Sequence, residues 1–399
     1  MTISSARLAQ VFAALGHFQV HFFTACYAFI VVGLVDEWQA PYEDLLTLWT
    51  IGALLFGAAA LPAGWLGDRW GARGMMAVYF VGIGAAAIYC GLSEGRIGLV
   101  IGLSAIGLFA AIYHPVGIAW LVRNCQAPGK TLGLNGVFGN YGVGFAGIIA
   151  GGLMDLAGWR AAFIVPGILT LATGIAFILL TASGKIIEGG PAVARDQAPS
   201  RSDMVRGVGI LLLNLLCAGV IFQGLQYALP KALEEKQASL FGDGLFGLGA
   251  AYTVIFFVAG TLQYFGGHLA DRYPPRIVYI LAYALQVPLL ALVAALANLP
   301  MVLAAILSVT LAVGVFPAEN VLFIRYTPER HRSLAFGVRF VIAFGVGPLA
   351  LQLIAAIYER TGAVASLFVL LAACAGLVAL SALFLPGERR PAPLPQAAE

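Results

Sequence analysis

Charge is what this sequence has least of. Asp, Glu, Lys and Arg together make up 10% of its 399 residues, against about 25% in an average soluble domain. Nineteen acids and 22 bases are too few to cover a soluble fold of this length. That excludes an ordinary cytosolic enzyme, a nucleic-acid binder and a disordered chain. Cysteine is also scarce. Cys26, Cys90, Cys125, Cys217 and Cys374 are odd in number and none stands at metal or redox spacing, so they read as small apolar fillers and not as a disulfide framework. No cleavable leader stands apart: Met1 to Arg7 is a short polar lead into an apolar run long enough to span a bilayer. The sequence has no His-Glu-x-x-His string, no Gly-x-Ser-x-Gly elbow and no phosphate loop. Neither an enzyme, nor an ATP-driven pump on one chain, nor a cofactor is expected.

What is present is hydrocarbon. The chain is 61% hydrophobic and its mean hydropathy is +0.92. A spanning helix takes about 20 apolar residues, and twelve such runs are found, at 9–34, 45–67, 75–93, 98–122, 132–155, 159–181, 207–229, 244–269, 277–297, 300–324, 333–357 and 363–385. Barrel-type alternation is absent. The pattern predicts an all-α membrane protein of twelve transmembrane helices, each unbroken so that its backbone groups are satisfied internally. With the N-terminus placed in the cytoplasm, sixteen of the 22 Lys and Arg fall on the inner side, five on the outer side, and Arg339 within a helix. This positive-inside bias predicts that both termini are cytoplasmic. Gly184, Gly189, Gly190, Pro191 and Pro199 mark 182–206 as a flexible linker. It divides an N-terminal six-helix bundle (1–181) from a C-terminal one (207–386), and 387–399 form a tail.

The two halves repeat. Gly64-Trp-Leu-Gly-Asp68-Arg69-Trp-Gly71-Ala-Arg73 follows the second run, and Gly267-His-Leu-Ala-Asp271-Arg272-Tyr-Pro-Pro-Arg276 follows the eighth, 203 residues later. His114-Pro115 matches Phe316-Pro317, and Arg123 matches Arg325, both 202 residues apart. Parallel pseudo-symmetric halves are a transporter architecture with the substrate site between them. The Gly64–Arg73 string resembles the signature loop of the major facilitator superfamily, and Gly158-Trp159-Arg160 is similar to a step common there. Gly16-His17-Phe18, Tyr113-His114-Pro115 and the turn from Tyr326 to Arg330 resemble the fosmidomycin-resistance group of efflux facilitators, although His21 stands where that group carries an Asp. The resemblance implies the major facilitator fold. Physically, Asp68 is suited to face a helix N-terminus of the other bundle, with Arg69 and Arg73 neutralising it. Gly64, Asp68, Arg69, Gly71, Arg73 and Arg123, with Asp271, Arg272, Arg276 and Arg325 in the second half, would form a conformational latch.

Ionisable groups within spans are costly and so become functional candidates. Arg339 lies six residues after Ser333 and Glu319 six before Arg325, each about 9 Å inside the cytoplasmic end. Arg339 is read as the positive charge for an anionic substrate or for Glu319, and Glu319 as the protonatable carboxylate, with a static pair between the two as the plainer reading. Pro317 and Asn320 flank Glu319 and would bend or loosen that helix. His17 and His21 share a helical face and offer proton coupling. The sequence places no third ligand with them, and no metal is expected. His114, His21, Asn140, Gln223, Gln226 and Tyr113 join Arg339 as candidate substrate contacts. The Gly-rich fifth run, Gly133 to Gly152, is read first as helix packing and second as a hint of antiport. The reading that follows is a monomeric secondary carrier in the bacterial inner membrane. It would move a small anionic or zwitterionic organic solute by rocker-switch alternating access, with proton-coupled efflux first and proton-coupled anion uptake second. Its partners are solute, protons and the lipid bilayer, and not nucleic acid. A lipid flippase, or a sensor or assembly factor of the same fold, remains as a further alternative.

Overall fold

The computed structural model describes residues 4–125, 128–188, 200–238, 242, 244–327 and 332–387. Among them no strand occurs. Eleven helices are long and apolar enough to cross a membrane, and a pair bent by 46° supplies the twelfth. In chain order the spans are α1 (Ser5–Trp38), α2 (Tyr42–Ala58 with Ala60–Trp70), α3 (Ala72–Leu92), α4 (Gly95–Arg123), α5 (Pro128–Ala157), α6 (Trp159–Ala182), α7 (Arg201–Glu235), α8 (Gly244–Arg272), α9 (Pro275–Ala295), α10 (Asn298–Tyr326), α11 (Arg332–Gly345 with Gly347–Thr361) and α12 (Ala365–Ala382). All twelve expected runs are therefore helical. Large apolar side chains such as Leu108, Ile168, Leu281 and Leu307 point outward, an arrangement suited to hydrocarbon and not to water.

Four spans are interrupted, which corrects the expectation of unbroken helices. α4 carries a π-helical turn over Tyr113–Gly117, α10 breaks at Val315, α2 at Ala59 and α11 at Val346. These four breaks sit at or just ahead of a proline, namely Pro115, Pro317, Pro62 or Pro348; α2 opens once more at Leu48–Trp49, with no proline beside it. Proline has no N–H to donate and clashes with the carbonyl four residues back, so the chain accommodates it by opening a turn or restarting the helix with proline in its first turn. The α4 and α10 breaks are the two pseudo-equivalent His-Pro and Phe-Pro steps. Paired interruptions at matching positions of two halves are the usual place for a carrier's binding site.

The segment expected as linker is partly built. Residues after α6 fold back on the first bundle: Ile186 is buried, the Ile187 N–H donates to Ser5 Oγ (3.2 Å) and the Ile187 carbonyl accepts from Trp120 Nε1 (3.1 Å). α7 begins at Arg201, ahead of the expected edge at 207. Residues 189–199 of that linker, 388–399 of the tail, Pro328–Arg330 of the turn and the Asp271 side chain lie outside the described residues.

The bundles meet along α5–α8, α2–α11 and α1–α7. Glycine allows the closest approaches. A Cβ on Gly142 would run into the Phe18 carbonyl of α1, and one on Gly147 would lie 2.7 Å from the Gly249 carbonyl oxygen of α8. Helix packing therefore accounts for these glycines of α5.

Candidate functional site

The breaks in α4 and α10 bring the buried polar groups together. In α10, restarting the helix after Val315 puts Glu319 in the first turn of the new segment, with Pro317 ahead of it. Glu319 is 1% exposed. Arg339 of α11 donates to its Oε1 through Nη2 (2.7 Å) and Nε (3.2 Å). Both donors converge on one oxygen, whereas a fork-to-fork pair would use two. Glu319 Oε2 is left buried with no hydrogen-bond partner. The Arg339 guanidinium also lies 5.9 Å from the Phe323 ring and 5.8 Å from the Phe340 ring, within the range of cation–π attraction.

On the first bundle three histidines form one cluster. His17 and His21 come from α1 and His114 from the π-turn of α4. Their ring centroids are 4.9, 5.4 and 5.3 Å apart. His17 stacks on Tyr113 at 5.0 Å and its Nδ1 sits 2.6 Å from the Asn135 carbonyl oxygen of α5. The Tyr113 hydroxyl donates to the Ala13 carbonyl (2.7 Å) and lies 3.0 Å from Asn135 Oδ1. His114 faces the seam: its ring is 4.5 Å from Phe344 and 5.7 Å from Phe340 of α11. Phe340 adjoins Arg339 in sequence, so the histidine cluster and the ion pair flank one aromatic wall between the bundles.

Two expected substrate contacts have protein partners in this structure. Asn140 donates to Gln263 of α8 and Gln226 of α7 donates to the Thr24 carbonyl of α1 (3.2 Å). Each bonds across the bundle seam, because a polar side chain inside an apolar bundle takes the nearest partner. Gln223 is buried against Gly347, near Tyr227.

The end of the bundle away from the 64–73 loop is sealed. Tyr42 of α2 and Tyr358 of α11 pack at 5.0 Å. Lys231 of α7 lies over both rings (5.3 and 5.5 Å) and pairs with Glu234. Further in, Trp49 Nε1 donates to the Tyr227 hydroxyl (3.2 Å) and Gln352 donates to Thr50 Oγ1 (3.2 Å). At the margin, Asp155 accepts from the Phe246 N–H of α8 (2.8 Å).

At the other, basic end the arginines expected to neutralise Asp68 lie against other partners. Asp68 is exposed and makes no hydrogen bond or ion pair with any described residue. Arg69 stacks on Trp65 (4.0 Å). Arg73 pairs instead with Glu188, 3.2 Å away, and Arg123 joins it at 3.7 Å. Glu188 also accepts from the backbone N–H groups of Ala72 and Arg73, which open α3. A helix N-terminus offers unpaired donors and partial positive charge, and Glu188 reaches that position from the folded-back chain. In the second half, Arg272 lies 6.0 Å from the Tyr273 ring and Arg276 donates to the Leu383 carbonyl. Replacing Glu188 by Gln is expected to lower stability by about 1 kcal/mol, the scale of a lost N-cap. Thermal unfolding in detergent reads this, and an unchanged midpoint would contradict the capping role.

Sequence reasoning missed Glu188, Phe340, Phe344 and the role of Asn135. It also missed that His114 completes a trio with His17 and His21. The shared depth of His17, His114, Glu319 and Arg339 was the available signal for the cluster, but depth carries no information on which way a helix face is turned.

A family model described as the Major Facilitator Superfamily matches residues 13–257 and 211–399. Among curated proteins, the chain is 30% identical over 144 residues to a "Probable actinorhodin transporter" of Streptomyces coelicolor, covering 34% of this chain and 25% of that protein. It is 28% identical over 246 residues to the tetracenomycin C resistance and export protein of Streptomyces glaucescens, covering 61% of this chain and 40% of that one. The matched region thus spans a quarter to two-fifths of these relatives' length. A solved POT family transporter in complex with 5-aminolevulinic acid superposes with a TM-score of 0.75 at 14% identity, covering 94% of this chain and 95% of that one. That likeness shows the fold.

Proposed function

The chain belongs to the Major Facilitator Superfamily, and from that membership we propose that it exports a small organic solute carrying a negative group. It does so from the cytoplasm, as a monomer in a bacterial inner membrane, in exchange for protons. The observation that carries this reading is the buried Glu319–Arg339 pair with Glu319 Oε2 unpartnered. The named relatives, a transporter and a resistance and export protein, support export.

The chemistry follows from the pair. Arg339 is a guanidinium fork suited to a carboxylate or phosphonate. A zwitterionic solute places its anionic group on Arg339 and its cationic group on Glu319 Oε2. A proton takes that same oxygen, so solute and proton exclude one another, which is the condition for antiport. The sealed end together with an unpaired Asp68 fits a state that receives solute from the basic side. A purely anionic solute gives the second reading. It draws Arg339 away from Glu319, the uncompensated carboxylate then takes up a proton, and the two travel together as symport.

The test uses proteoliposomes loaded with carboxylates, phosphonates, zwitterions or cationic drugs under an imposed pH gradient. The expected result is flux of a zwitterion driven against the proton gradient, and no gradient dependence in Glu319→Gln. Flux running with the proton gradient would establish symport. Transport of cations alone, indifferent to Arg339→Ala, would sink the anionic-solute reading.

A further inference from the structure

Three buried imidazoles from two helices stand together with no acid among them. One nitrogen from each of His17, His21 and His114 lies within 4.8 Å of the others. Each ring is at least nine-tenths buried. Buried polar nitrogens are normally hydrogen-bonded, yet His114 Nδ1 has no partner and no described residue hydrogen-bonds to the His21 ring.

Only His17 is held, and it is held in the manner of a metal ligand. Its Nδ1 meets the Asn135 carbonyl oxygen at 2.6 Å. The same Nδ1 also lies 3.0 Å from Asn135 Nδ2; with the proton on Nδ1 and donated to the carbonyl, as a metal-binding histidine commonly does, Nε2 keeps the free lone pair. That lone pair is given room by a glycine: a Cβ on Gly139 of α5 would lie 2.7 Å from His17 Nε2.

We propose that His17, His21 and His114 form a binding site for a divalent transition-metal ion of the zinc, cobalt, nickel or copper type. Imidazole is the ligand these ions share, and hard ions such as magnesium and calcium prefer oxygen. Zn–N bonds of about 2.0–2.1 Å in a tetrahedron set nitrogens about 3.4 Å apart. The trio therefore closes by about 1–1.5 Å through side-chain rotation, given N–M bonds of that length. Three protein ligands leave a fourth position for water or another oxygen donor. The neighbouring Arg339 does not stand as a bare positive charge against the ion, because Glu319 pairs with it. The proposed ligands include neither Glu319 nor Arg339, so metal binding can be measured apart from transport.

The test uses full-length protein, freed of any histidine tag, stripped with a chelator and titrated with Co2+ in detergent. The visible d–d bands of nitrogen-ligated Co2+ are expected to appear and saturate at one ion per chain, and to be displaced by Zn2+. His17→Ala, His21→Ala and His114→Ala should each weaken Co2+ binding by more than about a hundredfold, beyond what loss of an outer hydrogen-bond partner costs. His268→Ala, at an exposed histidine of α8, should leave it unchanged. Where an alanine variant fails to fold, the Gln variant at that position is measured instead. Gly139→Ala should weaken binding while keeping all three ligands. Absence of the bands in wild type, or binding that survives in the triple variant, overturns the proposal.

Discussion

Replacing Arg339 by alanine is expected to abolish transport and to lower stability by about 3–5 kcal/mol, the cost of stranding one member of a buried ion pair. Glu319 is 1% exposed and Arg339 8%, so water cannot replace the lost guanidinium. Oε1 would lose both its donors, and Oε2 already has none. A surface pair would cost far less, because solvent screens it. The control is the double variant Glu319→Gln with Arg339→Gln. Removing both charges leaves two neutral amides able to bond to each other, and replacing a buried pair as a unit is often close to neutral for stability. Thermal unfolding should therefore recover in the double variant while solute flux stays at background. If Arg339→Ala unfolds at the wild-type temperature, the pair does not hold the described geometry. If the double variant transports, the pair is structural only.

Much of this was legible in the sequence, and the reasons differ by feature. The twelve helices follow from run length, because hydrocarbon thickness sets a minimum that soluble helices seldom meet. The level of Glu319, Arg339, His17 and His114 was also legible, since counting from the flanking arginines gives depth along a helix axis. Azimuth was not. Asn140 and Gln226 read as cavity liners, although amides of this kind also serve as interhelical ties. In the structure Gln263 and the Thr24 carbonyl lie opposite them and tie them across the seam. Glu188 could not be read at all. It is one charge in a polar stretch, and its importance comes from a chain reversal that carries it to the start of α3, 116 residues earlier. The helix breaks were half visible: Pro317 pointed to a bend in α10, but Pro115 was not read as the π-turn that presents His114 to α1.

Tying the sealed end shut is expected to stop transport entirely. Tyr42 and Tyr358 belong to different bundles and their rings sit 5.0 Å apart, with Lys231 lying over both. Alternating access by rocking one bundle against the other requires these helices to separate so that solute can leave on that side. Cysteines placed at 42 and 358 in a background lacking the five native cysteines, then joined by a short reducible bifunctional thiol reagent, should reduce solute flux to background. A reductant should restore it. The same treatment at Trp38 and Trp159 is the control: their rings are 5.7 Å apart but both lie in the first bundle, so joining them constrains no rocking and flux should persist. Loss of flux at both pairs would point to damage by the reagent. Persistence at the 42–358 pair would mean that the bundles do not part at this seam, and that solute leaves by another route.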